Sequence, residues 1–226
     1  KMPKFAANLT MMYNEVDFLD RFEAAAKSGF NGVEYLFPYP FGKDELAERL
    51  QQHGLTQVLH NLPAGDWGAG ERGIACLPDR VAQKVQSTFV SNLRFAADKL
   101  AEAGIRLLIE PINTRDIPGF YLSGTQQALD IIGATGSDNI ALQYDIYHMQ
   151  IMEGDLAPTI EANLARIEHM QLADNPGRHE PGTGEINYPF LFDFIDGLGY
   201  QGWIGCEYKP AAKTVDGLGW IKPYLA

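Results

Sequence analysis

Residues 140–178 read IALQYDIYHMQIMEGDLAPTIEANLARIEHMQLADNPGR. The stretch Ile140 to Asp145 is a short, mostly apolar run closed by an acid, and Ile167 to Leu172 is a second short run of strand character. Between them Asp155 to Ala165 reads as an amphipathic helix. A strand, a helix and a strand over so short a span form a β/α unit, whose strands pair in parallel through a right-handed crossover.

The same alternation extends in both directions. Further strands are expected at Phe5 to Leu9, Gly32 to Phe37, Thr56 to Asn61, Arg106 to Glu110 and Trp203 to Tyr208. Further helices are expected at Val16 to Ser28, Lys43 to His53, Thr88 to Ala103, Thr125 to Gly133 and Tyr188 to Gly197. Gly29, Gly54, Gly104 and Gly199 fall where left-handed helix caps belong. No linker or low-complexity tract interrupts the rhythm, so residues 1–226 are expected to form a single domain. One interval breaks the spacing. Between Asn61 and Arg106 there is one good helix and no strand, so seven strands are legible where a closed α/β barrel has eight. Omission of a helix and strand near Arg80 is expected, because loss of an interior stave would leave two unpaired edges.

Composition narrows the function. With 18 basic and 29 acidic residues and a formal charge of −11, the chain lacks the clustered cations that nucleic-acid binding requires. No apolar run is long enough to span a bilayer, and no secretory signal is legible. Cys76 and Cys206, at unrelated spacings, read as reduced structural thiols. A cytoplasmic enzyme is expected, without membrane or nucleic-acid partners; homo-oligomer formation is compatible with all of this.

Four segments end in side chains able to hold a divalent cation: Glu110 in IRLLIEPIN, Asp145 in IALQYDIYHMQ, Gln171 in HMQLADNPGR and Glu207 in GWIGCEYKP. Carboxylates and an amide carbonyl are hard oxygen donors, suited to Mg or Mn. At the C-terminal ends of barrel strands they can converge on one point. An acid after a strand also serves as a helix N-cap, but no helix is expected after Glu110-Pro111 or after Glu207. His148, three residues past Asp145, can donate a hydrogen bond to a substrate oxygen. Lys209 and Arg178 are candidates for a substrate carboxylate, and Glu34 and His60 for the mouth of the site. Phe37, Tyr39, Phe41 and Trp67 are candidates for an apolar wall.

The strings FAANLTMMYNE, VEYLFPYP, IEPIN, YDIYHMQ, HMQLADNP, EPGTGEINYPFLF and GWIGCEYKP closely resemble the hydroxypyruvate isomerase family, within the xylose isomerase-like TIM barrels. The resemblance covers nearly the whole chain. It implies an α/β fold, a (β/α)8 TIM barrel whose fourth strand is missing from this sequence. It also implies that Glu110, Asp145, Gln171 and Glu207 bind the metal and that Glu110 and Glu207 double as the proton-transferring pair. The implied reaction is a metal-dependent interconversion of hydroxypyruvate and tartronate semialdehyde by enediolate proton transfer, acting on a small 2-oxo acid or sugar-like substrate. Isomerisation or epimerisation of a four-carbon 2-oxo acid or a ketose is the alternative on the same barrel. Metal-dependent phosphodiester cleavage, as in the endonuclease IV branch, is a further one, opposed by the five histidines and the acidic charge.

Overall fold

A computed structural model describes residues 3–66 and 82–225. The expected omission near Arg80 and the candidate wall residue Trp67 lie outside the described residues, as does Cys76. The chain divides into two compact units, Lys1–Leu62 with Gln171–Ala226 and Pro63–Met170.

The first unit holds β1 (Lys4–Asn8), α1 (Arg21–Lys27), β2 (Gly32–Tyr35), α2 (Lys43–His53) and β3 (Thr56–His60). It also holds α7 (Tyr188–Gly197), β7 (Trp203–Cys206) and the end of β6 (Ile167–Leu172). Its strand order is β3-β2-β1-β7-β6. β1 pairs in parallel with both β2 and β7, with Ala7 opposite both Val33 and Cys206. The core behind β1 is aromatic: Phe5 meets Phe192 and Trp220 edge-on at 5.1 and 5.4 Å. Each such pair adds roughly 0.5–1.5 kcal/mol beyond area burial.

The second unit holds α3 (Ala82–Ala101), β4 (Leu107–Ile109), α4 (Thr125–Thr135), β5 (Ile140–Asp145), α5 (Ile146–Met152) and α6 (Leu156–Asn163), together with most of β6. β4 pairs in parallel with β5, Leu108 against Ala141. Every residue of β5 is buried, as expected of a parallel strand covered on both faces.

All seven expected strands are present among the described residues. Helix bounds differ more. Val16 lies outside α1, and its carbonyl accepts from Arg21 Nε at 3.1 Å. α3 begins at Ala82, upstream of the expected Thr88. α5 was not expected at all. Asp145 caps it, accepting from the backbone N–H groups of Tyr147 and His148 at 2.8 and 3.2 Å, and so short a helix shows too little periodicity to read from sequence. The four glycines expected at caps do have positive φ. At Gly54, φ 64°, the left-handed turn lets its N–H reach the last carbonyls of α2.

β3 departs from the other strands. It is exposed or half-buried throughout, and it ends the strand order, paired only with β2 among the described residues. Its His60 is exposed, held through Nδ1 by Gln57 Nε2 at 3.0 Å.

Candidate active site

Within the unit Pro63–Met170, three side chains converge. Glu110 follows β4 and is 18% exposed, while Asp145, at 1%, closes β5 and, at 3%, His148 rides the first turn of α5. Spacing of three residues on a helical turn puts Asp145 and His148 on one face. His148 Nε2 stands 3.7 Å from Asp145 Oδ2 and 3.9 Å from Glu110 Oε1. Asp145 thus divides its work: Oδ1 caps the helix, while Oδ2 turns toward His148. One ligand atom from each of the three lies within 4.8 Å of the others. Two carboxylates held this close out of water repel one another, and a divalent cation relieves that repulsion. The carboxylate oxygens of Glu110 and Asp145 are hard donors of the kind a divalent ion such as Mg or Mn takes.

The other unit gathers a second set. Glu207 follows β7, and Arg178 Nη2 donates to its Oε2 at 2.8 Å. Asn8, at the end of β1, donates through Nδ2 to Glu34 Oε1 at 2.9 Å and to Glu207 Oε1 at 3.5 Å. Its Oδ1 accepts from the backbone N–H groups of Thr10 and Met11. Because those partners only donate, the orientation of the Asn8 amide is set. Gln171 Nε2 donates to Glu34 Oε1 at 2.8 Å. With its nitrogen held by a carboxylate, the group Gln171 can offer a cation is its carbonyl oxygen. Glu34 is fully buried and acts in this network as the common acceptor.

Arg178 is carried on the turn NPGRHEPGTGE, itself organised by Asp174. That buried carboxylate accepts from the backbone N–H groups of Asn175, Gly182, Gly184 and Ile186. The backbone N–H of Lys209 donates to Arg178 C=O at 2.8 Å, which ties the turn to the segment after β7. The Lys209 side chain itself is exposed. Of the expected wall, Phe41 stacks on Phe18 at 4.7 Å and Tyr39 donates to Asn61 C=O at 2.6 Å. Cys206, one residue before Glu207, is a free buried thiol. Burial, and then the nearby Glu34 charge, push its pKa well up, so it stays protonated and structural.

Asn8, Asn113 and Asp174 were not singled out in the sequence. Asn8 is the polar last residue of a buried strand, the position that the Glu110 and Glu207 sets also exploit. Asn113 and Asp174 lie beyond strand ends, where an isolated polar residue gives no signal of its own.

The geometry places a demand on Gly205. A Cβ there would run into the carboxylate of Glu34. Gly205→Ala is expected to displace the Glu34 carboxylate and cost about 1–3 kcal/mol by overpacking. Thermal unfolding checks this, and combining it with Glu34→Ala should remove most of the added penalty, since the two sites share one space. Additive losses would refute the packing account.

Residues 69–224 match the family model described as xylose isomerase-like TIM barrel. A 2-oxo-tetronate isomerase of Cupriavidus necator is 48% identical, covering 99% of each chain. A hydroxypyruvate isomerase of Escherichia coli is also 48% identical, over 99% of this chain and all of the relative. A solved structure described as an AP endonuclease, family 2, from Brucella melitensis is 45% identical with a TM-score of 0.95, covering 99% of both chains. The alignment to the C. necator protein spans 258 positions against a chain of 226 residues, so at least 32 positions have no counterpart here. That is about the length of one β/α unit, in keeping with seven described strands. The fold is the xylose isomerase-like TIM barrel, and the chain belongs to that family and, within it, to the group of hydroxypyruvate and 2-oxo-tetronate isomerases.

Proposed function

We propose that this chain interconverts hydroxypyruvate and tartronate semialdehyde, with Glu110 and Glu207 as the proton-transferring pair. In this reading both sets of side chains belong to one barrel domain, and Glu110, Asp145, Gln171 and Glu207 would hold a divalent ion, Mg or Mn. The observation that carries it is the pairing of strand-end carboxylates with polar partners suited to an α-hydroxy carbonyl compound: His148 beside Glu110, and Arg178 on Glu207. When bound, the cation supplies Lewis-acid charge that polarises the substrate carbonyl and makes the neighbouring C–H more acidic.

One glutamate takes the proton from C3 of hydroxypyruvate and the other delivers a proton to C2. The hydroxyl proton on the C3 oxygen is lost as that oxygen becomes the aldehyde, and the C2 oxygen gains one. Carbon oxidation levels exchange within one molecule, so the balance needs no external oxidant. Arg178 meets the substrate carboxylate, with Lys209 as the more exposed cation, and His60 stands toward the mouth.

A four-carbon 2-oxo acid is the second reading, favoured by the 48% identity to the C. necator 2-oxo-tetronate isomerase. The same proton transfer serves both substrates, so the difference lies in the room beyond C3. Measuring kcat/KM for both 2-oxo acids and for small ketoses, with products identified by NMR, distinguishes them. Because the B. melitensis relative is described as an AP endonuclease, an abasic-site DNA duplex belongs in the same panel. Turnover of a 2-oxo acid is expected. Cleavage of the duplex with no isomerisation would sink the proposal.

A further inference from the structure

We infer that Asn113 holds His148 as the tautomer protonated on Nε2 and bare on Nδ1, which makes His148 a hydrogen-bond donor toward substrate and not a ligand of the cation. The inference concerns a positioning residue, Asn113, and rests on the proposed site only for the identity of what His148 faces.

Asn113 is fully buried, just past Glu110 in IEPIN. Its amide orientation is decided locally. The backbone N–H of Asp116 donates to Asn113 Oδ1 at 2.7 Å, and a backbone N–H can only donate, so the atom facing it is the oxygen. Nδ2 is therefore the other terminus, and it donates to Asp116 Oδ2 at 3.1 Å. The same Nδ2 stands 2.6 Å from His148 Nδ1. The backbone N–H of Asn113 also points at Nδ1, at 3.3 Å. Asp116 is steadied in turn by the Tyr147 hydroxyl, which donates to Oδ2 at 2.8 Å.

Two donors thus converge on Nδ1, from the side chain and from the main chain of one residue. A proton on Nδ1 would face both of them, so Nδ1 must be the acceptor. The neutral ring then carries its hydrogen on Nε2, the nitrogen that faces the carboxylates of Asp145 and Glu110. A metal ligand has to present a lone pair, and metal-bound histidines have their other nitrogen donating to an acceptor. Here the second nitrogen receives instead. The polarity is the reverse of a ligating histidine and matches a group that donates to an anionic or carbonyl oxygen.

The test reads the ring directly. Long-range 1H–15N correlation of histidine-labelled protein reports which imidazole nitrogen is protonated, and a His148→Gln variant identifies its signals among the five histidines. Near neutral pH, with and without added Mg, His148 is expected to show a protonated Nε2 and a bare Nδ1. Asn113→Asp replaces a donor by an acceptor and is expected to place a proton on Nδ1. A bare Nε2 in the wild-type protein, or protons on both nitrogens, would overturn the inference, as would an Asn113→Asp spectrum identical to wild type. If that variant fails to fold, the wild-type tautomer decides alone. No turnover is read, so a wrong substrate assignment leaves the result intact, and a bare Nε2 in an active isomerase would remove this inference and not the proposed function.

Discussion

Glu110→Gln and Glu207→Gln are each expected to lower isomerisation by on the order of 100-fold or more, because general acid–base transfer contributes at least that much and an amide cannot accept the substrate proton. Both changes preserve side-chain shape and leave an oxygen able to meet a cation. They differ in their surroundings. Glu207 receives Arg178 Nη2 on Oε2 and Asn8 Nδ2 near Oε1, so a glutamine there must set its NH2 against one of two donors. Glu207→Gln is therefore expected to lose some stability as well as turnover, while Glu110→Gln, which faces His148 Nε2 at 3.9 Å, loses mainly turnover. Thermal unfolding separates the two contributions. Reactions in deuterated water add a mechanistic reading, since a carboxyl-bound proton can exchange before it reaches the neighbouring carbon. Label in the product of the wild-type enzyme supports paired transfer. Near-normal turnover in either variant refutes the assignment.

Stripping the enzyme with a chelator is expected to reduce turnover to background, with recovery on adding Mg or Mn. Asp145→Asn then tests the ligand role apart from the fold. Asparagine caps helices about as well as aspartate, so the bonds to the N–H groups of Tyr147 and His148 can persist while the charge of the other oxygen is lost. Weaker metal affinity with partial rescue by excess cation is the expected outcome. Binding to the folded state alone should also raise thermal stability, by about 2.7 kcal/mol when the free ion is at 100 times its Kd. That increment should shrink in Asp145→Asn at the same metal concentration. Full activity after exhaustive chelation would remove the cation from the mechanism.

How much of this was legible in the sequence depends on how local each determinant is. A buried parallel strand needs only a short apolar run, so β5 could be bounded at Ile140 and Asp145 from its own residues. Acids closing such runs were equally visible at Glu110 and Glu207. The helix after Asp145 was not, since seven residues make less than two full turns of pattern and depend on their cap. Nor was the exposure of β3, because Thr56 to His60 has the composition of any other strand. What differs is that, among the described residues, it pairs with β2 alone, and burial follows from the partner as much as from the strand.

The sequence alone therefore determined the succession of β/α units, the family resemblance and the residue types at the strand ends, all of which rest on periodicity and on neighbours a few positions away. Only the tertiary structure decided which atom each polar group presents. Gln171 is oriented by Glu34, 137 residues away in the chain, and His148 by Asn113, 35 residues away. An amide or an imidazole has two nearly isosteric faces, and which one turns inward is set by donors and acceptors that meet it only in the fold.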